Sequence, residues 1–181
     1  MSDSKSPSDT PSTVAAGTAQ TVLVTGATGY IGGRLVPRLL EAGHTVKVMV
    51  RTPAKIAGVP WLGKVEVIQG SLDDGASLRQ ALAGVDVLYY LVHSMAAGAG
   101  FESKEKAMAE TAATAAAAAH VGRIVYLGGL HPANVELSTH MRSREDVGKG
   151  FLDRAVDAVV LQAGVVRGYG APSCELIRHL P

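Results

Sequence analysis

The stretch Val22 to Val36 reads VLVTGATGYIGGRLV and sets four glycines, Gly26, Gly29, Gly32 and Gly33, within eight residues. β-Branched residues precede them and a helical pattern comes after. The spacing is G-x-x-G-x-x-G. A strand that turns at once into a helix needs a glycine at the bend, where a side chain would obstruct the turn. The second glycine lets backbone come close to an anion, at a helix start whose N–H groups lack partners and whose dipole favours negative charge. The third allows close contact between helix and sheet. A turn of this kind can also exist without a ligand, so its place in the chain has to carry the reading.

That place is the end of the first strand in a chain that keeps alternating. Apolar runs predict strands over 21–25, 45–50, 64–69, 85–92, 123–128 and 158–163. Between them the patterns predict helices over 30–42, 76–83, 102–120 and 142–155, with a last helical stretch, CELIRHL, over 174–180. Short apolar strands separated by helices pair in parallel, with both sheet faces covered. Right-handed crossovers then give an α/β fold, a doubly wound parallel sheet of expected order 3-2-1-4-5-6. Within it, the glycines make room for the phosphates of a dinucleotide.

The 181 residues suit one domain, over 21–181, and the Ser/Thr/Pro-rich residues 1–20 read as a disordered tail. The alanine-rich stretch Thr111 to Ala119 reads as a small-residue helix packed on the sheet, not as a membrane segment. No apolar run is long enough to span a bilayer. A net charge of +1 gives no reason to expect a nucleic-acid partner. The single cysteine, Cys174, excludes an internal disulfide and a cysteine-rich metal site and fits a reducing cytoplasm. No His, Asp or Glu pair has reinforced ligand spacing, so no metal is expected.

Arg51 directly succeeds the second strand, where a site for NAD usually has an acid on the ribose hydroxyls. A guanidinium there can fork onto a 2′-phosphate, with Lys55 near and Arg34 a weaker candidate. The cofactor expected is therefore NADP, with NAD possible. A solvated basic loop is the alternative reading of the same residues.

LVTGATGYIGGRLVPRLLEAGH, with QGSLDD, GVDVLYYLV and LQAGVVRGYG, resembles the short-chain dehydrogenase/reductase superfamily, with its Rossmann fold. More narrowly it is similar to the atypical NAD(P)-binding branch, NmrA-like and epimerase-like. The resemblance implies that Gly26, Thr28, Gly29, Tyr30, Ile31 and Gly32 form the pyrophosphate turn and that Arg51 reads the adenosine ribose. It puts Ser71 and Leu72 where relatives carry an Asp-Leu pair against adenine, so that contact is weakened. It sets Leu91, Val92 and His93 along the cofactor, and Gln162, Ala163, Gly164 and Val165 beside the nicotinamide.

The resemblance fails at the catalytic apparatus. Relatives use Tyr-x-x-x-Lys, in which the lysine lowers the tyrosine pKa and the phenol exchanges a proton with substrate. None of the five tyrosines has a lysine four residues on, and Gly128-Gly129 replace the usual serine after the fifth strand. His140-Met-Arg-Ser-Arg144 stands where the motif would fall. His140 can be a proton donor with Arg144 on a ribose or phosphate, or both can be polar residues on an exposed helix start. His93, Ser94 and His131 come after strand ends and line the crevice or simply hydrogen-bond backbone. Cys174 reads as a helix-face residue. Relatives also continue past this point, so the substrate region reads as curtailed at the C-terminus. Two functions fit: an NADP-dependent oxidoreductase or epimerase-like enzyme without the usual motif, or a non-catalytic dinucleotide sensor or assembly factor.

Overall fold

The computed structural model describes residues 18–93, 100–131, 136–154 and 156–164, with Val166 and Gly168. Most of the expected tail, Ser94, Cys174 and the helical stretch 174–180 lie outside the described residues.

Six strands form one parallel sheet: β1 (Thr21–Thr25), β2 (Thr45–Val50), β3 (Glu66–Gln69), β4 (Val87–Tyr90), β5 (Arg123–Gly129) and β6 (Asp157–Ala163). Their order is β3-β2-β1-β4-β5-β6, as the alternation predicts. The helices are α1 (Tyr30–Glu41), α2 (Gly75–Leu82), α3 (Phe101–Ala118) and α4 (Thr139–Leu152). β1 lies between β2 and β4, with Val22 level with Val46 and Val87. The direction in which the chain adds strands reverses there, and the ends of β1, β2 and β4 enclose a crevice of the kind that holds ligands in open α/β sheets.

Two cores sandwich the sheet. On one face, Val22, Val24, Val46 and Val48 pack with Val36 and Leu39 of α1 and with Ile56 and Trp61 from the β2–β3 connection. On the other, Leu23, Leu88, Ile124 and Tyr126 meet α2, α3 and α4. Each fully buried aliphatic side chain contributes about 1.5–3 kcal/mol. The alanine stretch does what small residues allow. Ala112, Ala113, Ala115 and Ala116 are buried, and α3 beds between α2 and α4. Beyond them Tyr90, Tyr126 and Phe151 pack ring to ring at 5.1–6.0 Å. Among the described residues no helix is long and apolar enough to cross a membrane.

Several boundaries differ from expectation, for local reasons. β3 begins at Glu66 because Leu62–Lys64 forms a 3-10 turn. A second 3-10 turn, Pro53–Ile56, was not expected; Pro53 presets its φ. β4 is shorter than 85–92, since Leu91 to His93 leave the pairing to border the crevice. α3 ends at Ala118 and the chain reverses handedness at His120, φ 56°, instead of at Gly122. α4 begins at Thr139, not Arg142, because the Ser138 hydroxyl accepts a hydrogen bond from the Met141 N–H at 3.4 Å. Gln20 is already tied to the sheet, donating its N–H to His44 Nδ1 at 3.2 Å.

The β1–α1 turn is packed tightly against backbone. Gly26 has φ +78°, and a Cβ there would lie 2.9 Å from the Leu91 carbonyl. A Cβ on Gly32, in the first turn of α1, would lie 2.3 Å from the Gly26 carbonyl oxygen. Both obstacles are backbone and cannot rotate away. Gly32→Ala should therefore lower stability by about 2–3 kcal/mol, the cost of overpacking, as read from urea midpoints. Gly43→Ala, with φ +85° but open space around it, should cost only about 1 kcal/mol.

Candidate functional site

At the carboxyl ends of β1 to β4 lies a cavity of about 520 Å³. β1 and its turn supply Thr25, Gly26, Thr28 and Gly29; β2 supplies Val50 and Arg51, with Thr52 and Lys55 beyond it. β3 leads into Ser71, Leu72 and Asp73, and β4 into Leu91, Val92 and His93. From the rear, α3 contributes Lys104 and Met108.

The turn is built to leave donors for an anion. Gly29 is the cap of α1, in extended backbone with φ −84° and ψ 169°, and no side chain caps the helix. α1 also has no acid in its first turn. Its first amides are therefore served by no local carboxylate or hydroxyl, unlike those of α2, where the Asp74 carboxylate accepts from the Ala76 N–H. The turn is closed instead by backbone: the Gly29 N–H donates to the Gly26 carbonyl and the Gly33 N–H to the Gly29 carbonyl, each at 2.9 Å.

Of the residues the sequence proposes for a cofactor, Gly26, Thr28, Gly29, Arg51, Lys55, Ser71, Leu72, Leu91 and Val92 all line this cavity. Tyr30, Ile31 and Gly32 do not. Gly32 is sealed beneath the turn, where its lack of a Cβ lets α1 seat on Gly26. The Tyr30 ring lies under the Arg34 guanidinium, 3.6 Å from its centroid, and Arg34 donates to the Tyr30 carbonyl at 3.2 Å. Arg34 thus serves its own helix. Gln162 and Gly164, exposed at the end of β6, also stand outside the cavity.

Two charged residues that the sequence reading passed over are in it. Asp73 accepts a short hydrogen bond from the Ser71 hydroxyl and pairs with Lys104 at 4.0 Å. The Ser71 hydrogen bond first, then its own backbone, and more weakly Lys104 and Arg51, hold the Asp73 carboxyl below the usual range. The only signal for Asp73 was its place two residues after Ser71. Lys104 needed the tertiary fold, which turns the start of α3 towards β3.

The proposed catalytic residues are split. His93 borders the cavity; His140 and Arg144 do not. His140 is exposed at the start of α4, its ring 4.5 Å from that of Phe101. Arg144 sits deeper. Its Cδ would lie 3.6 Å from a Cβ on Gly129, its carbonyl accepts the Tyr126 hydroxyl at 3.3 Å, and its charge acts on His93. The place of the missing serine is filled, since a Cβ on Gly129 would meet Met141 Cε at 2.8 Å. Behind it the Ser143 hydroxyl donates to the buried Glu105 carboxylate, tying α4 to α3. His131 is half-buried. Among the described residues no group of three metal-ligating side chains occurs.

A model of the NAD(P)H-binding family matches residues 26–164. The chain belongs to that family. It is 44% identical over 70 residues to sterol demethylase protein B of Methylococcus capsulatus, a stretch covering 39% of this chain and 21% of that protein. It is 36% identical over 69 residues to a 3-beta-hydroxysteroid dehydrogenase of Mycolicibacterium neoaurum, covering 38% and 18%. Among solved structures, the NADPH-dependent quinone oxidoreductase of Escherichia coli, complexed with NADPH, superposes with a TM-score of 0.66 at 26% identity, over 78% of this chain and 48% of that one. The alignments thus span about a fifth of the curated relatives and about half of the oxidoreductase. The fold and the superfamily resemblance read from the sequence both hold.

Burial, reinforced by the Arg144 charge, pushes the His93 imidazole down from 6.5 to about 4. It is uncharged at neutral pH and carries a single N–H. An unfolded chain takes up that proton near pH 6.5 and the folded one only near about 4, so the unfolded state binds more protons between these values. Stability must then fall as pH drops through that window and be untouched above it. His93→Gln should flatten the decline by about 2 kcal/mol, seen as the difference between wild-type and variant urea stabilities from pH 7 to pH 4.

Proposed function

We propose that this domain binds NADP(H) and serves an oxidoreductase that works without Tyr-x-x-x-Lys. The observation that carries the reading is the bare cap of α1 opening into the same cavity as Arg51 and Lys55. The fit is physical. The first amides of α1 have no side-chain cap, a Gly29 Cβ would project with only the Gly26 carbonyl at 3.2 Å near it, and two cations stand where a 2′-phosphate would bring charge. Gly26, Thr28 and Gly29 would hold the pyrophosphate, Arg51 and Lys55 the 2′-phosphate, and Leu91 and Val92 the apolar flank. When bound, the nicotinamide supplies a hydride.

The protein's part is then to orient and to exclude water. His93, uncharged and packed at 6.0 Å from the Tyr126 ring, is a wall and a hydrogen-bonding group, and does not act as an imidazolium. Met141 over Gly129 leaves no room for a serine hydroxyl without displacement. This favours acceptors whose reduced form carries its negative charge stably and takes its proton from water. Quinones are such acceptors, and the similarity to a quinone oxidoreductase supports including them. The same two features also support the second reading, a dinucleotide-binding module without turnover.

Melting with each nucleotide separates these. NADPH at one hundred times its Kd should stabilise the protein by about 2.7 kcal/mol. NADPH oxidation against a panel of quinones and carbonyls then distinguishes enzyme from module. Arg51→Glu should weaken NADPH at least tenfold and leave NADH within about twofold. Gly29→Asp gives α1 a conventional cap and sets a carboxylate in the anion's place. Its unliganded stability should match or exceed wild type by a few tenths of a kcal/mol, while stabilisation by NADPH disappears. Undiminished stabilisation of this variant would sink the assignment.

A further inference from the structure

Arg144 differs from the other arginines in its surroundings. Among the described residues it is the one arginine that is not exposed. The exposed Arg38, Arg123 and Arg154 each pair with a carboxylate, and Arg142 donates to the Leu137 carbonyl. The half-buried guanidinium of Arg144 makes no ion pair and donates no hydrogen bond among the described residues. A cation drawn partly out of water loses hydration that a carboxylate partner would offset. Here none does, so the charge is held ready for an anion from outside.

Three contacts fix where it stands. One residue earlier, the buried Ser143 hydroxyl donates to the buried Glu105 carboxylate and holds this turn of α4 against α3. The Arg144 carbonyl accepts from the Tyr126 hydroxyl at 3.3 Å, which ties the same turn to β5. The side chain runs over the end of β5, its Cδ 3.6 Å from where a Cβ on Gly129 would be. From there its charge acts on Tyr126 and on His93, which borders the cofactor cavity. Arg144 does not line that cavity itself. It stands at the β4–β5 end of the crevice, away from the Arg51 and Lys55 end that suits phosphates. No neighbour there is a ready acid. The hydroxyl protons of Ser143 and Tyr126 are engaged within the protein, and the Leu127 carbonyl beside His93 competes for the one N–H of its neutral ring.

We propose that Arg144 is a catalytic residue that holds the negative charge of the reduced acceptor, so that a fixed cation replaces a proton donor. The inference rests on the reading of the domain as part of an NADP(H)-dependent oxidoreductase and names the group that serves its acceptor. A quinone that gains a hydride becomes a hydroquinone monoanion, and its second proton comes from water, leaving hydroxide. Until that proton arrives the oxyanion needs a counter-charge, which a preplaced guanidinium supplies through parallel N–H donors. Planar acceptors whose oxygens are acidic once reduced suit this arrangement. A simple ketone, whose alkoxide is far more basic, does not.

A nitrophenol, whose neutral and ionised forms differ in colour, probes this charge without turnover. It is titrated with pH on the full chain, with and without NADP+, in wild type, Arg144→Gln, Arg144→Lys and Arg142→Gln. On wild type with NADP+ the bound probe should ionise at least about one pH unit below the free probe. The shift should vanish in Arg144→Gln and persist in Arg144→Lys and in Arg142→Gln, which removes an equal charge one turn position away. Stabilisation by NADPH should be the same in Arg144→Gln as in wild type, which also shows that the variant folds. Quinone reduction by Arg144→Gln should fall about a hundredfold in kcat, with the KM for NADPH within about twofold, and lysine should restore part of the loss. A shift that survives Arg144→Gln, failure of the probe to bind, or an unchanged kcat would each overturn the proposal. Loss of NADPH stabilisation in Arg144→Gln would overturn it too, by making Arg144 a cofactor residue. A shift in nucleotide-free wild type that gains no stability from NADPH would instead sink the cofactor reading and leave the anion site standing.

Discussion

The structure depends on one close approach, that of α1 to the loop beneath it. Gly32 rides so near the Gly26 carbonyl that not even a methyl group fits between them. This contact fixes where the first turn of α1 points. Raised by the thickness of a side chain, α1 would lose its seat on β1, and its amides would no longer face the space between the ends of β2 and β4. Gly26 adds the second restraint, because its left-handed backbone lets the loop pass beside Leu91. The proposed anion site is thus a consequence of packing. It lies where helix, strand ends and missing side chains coincide.

Charge then decides what the site favours. Around the cavity stand Arg51, Lys55 and Lys104, with Asp73 as the acid among them. Asp73 is held ionised by the Ser71 hydroxyl and engages Lys104 instead of competing for the helix start. The Arg51 side of the cavity is left without an acid after β2, where a ribose-binding carboxylate would repel a 2′-phosphate. These side chains are exposed, so their contribution weakens as salt screens them, whereas the amides of α1 keep their orientation at any ionic strength.

Much of this is legible in the chain of residues alone. Strand order comes from alternation, and the tight β1–α1 turn from three glycines at a strand end, since backbone sterics act locally. That none of the five tyrosines has a lysine four places on is read from the residues without geometry. What escapes is tertiary. Lys104 reaches the cavity only because α3 starts behind β3, and Tyr30 and Ile31, next to the glycines in the chain, do not line it. The histidines show the same limit. His93 and His140 look equivalent in sequence as residues beside strand and helix ends, yet one is half-buried under a cationic neighbour and uncharged while the other is stacked and exposed. Burial, which separates them, depends on residues some tens of positions away.

The uneven building of the two halves of the crevice has a mechanical side. The end from β1 to β3 is covered and charged, with the start of α1 left bare. At the end from β4 to β6, Val159 and Leu161 are exposed and Met141 lies over Gly129. The two halves meet at Tyr30. Its backbone begins α1 directly after the Gly29 cap, its ring carries Arg34, and its hydroxyl is touched by the chain that has just left β6. The exit from β6 and the start of α1 therefore meet at a single side chain, that of Tyr30.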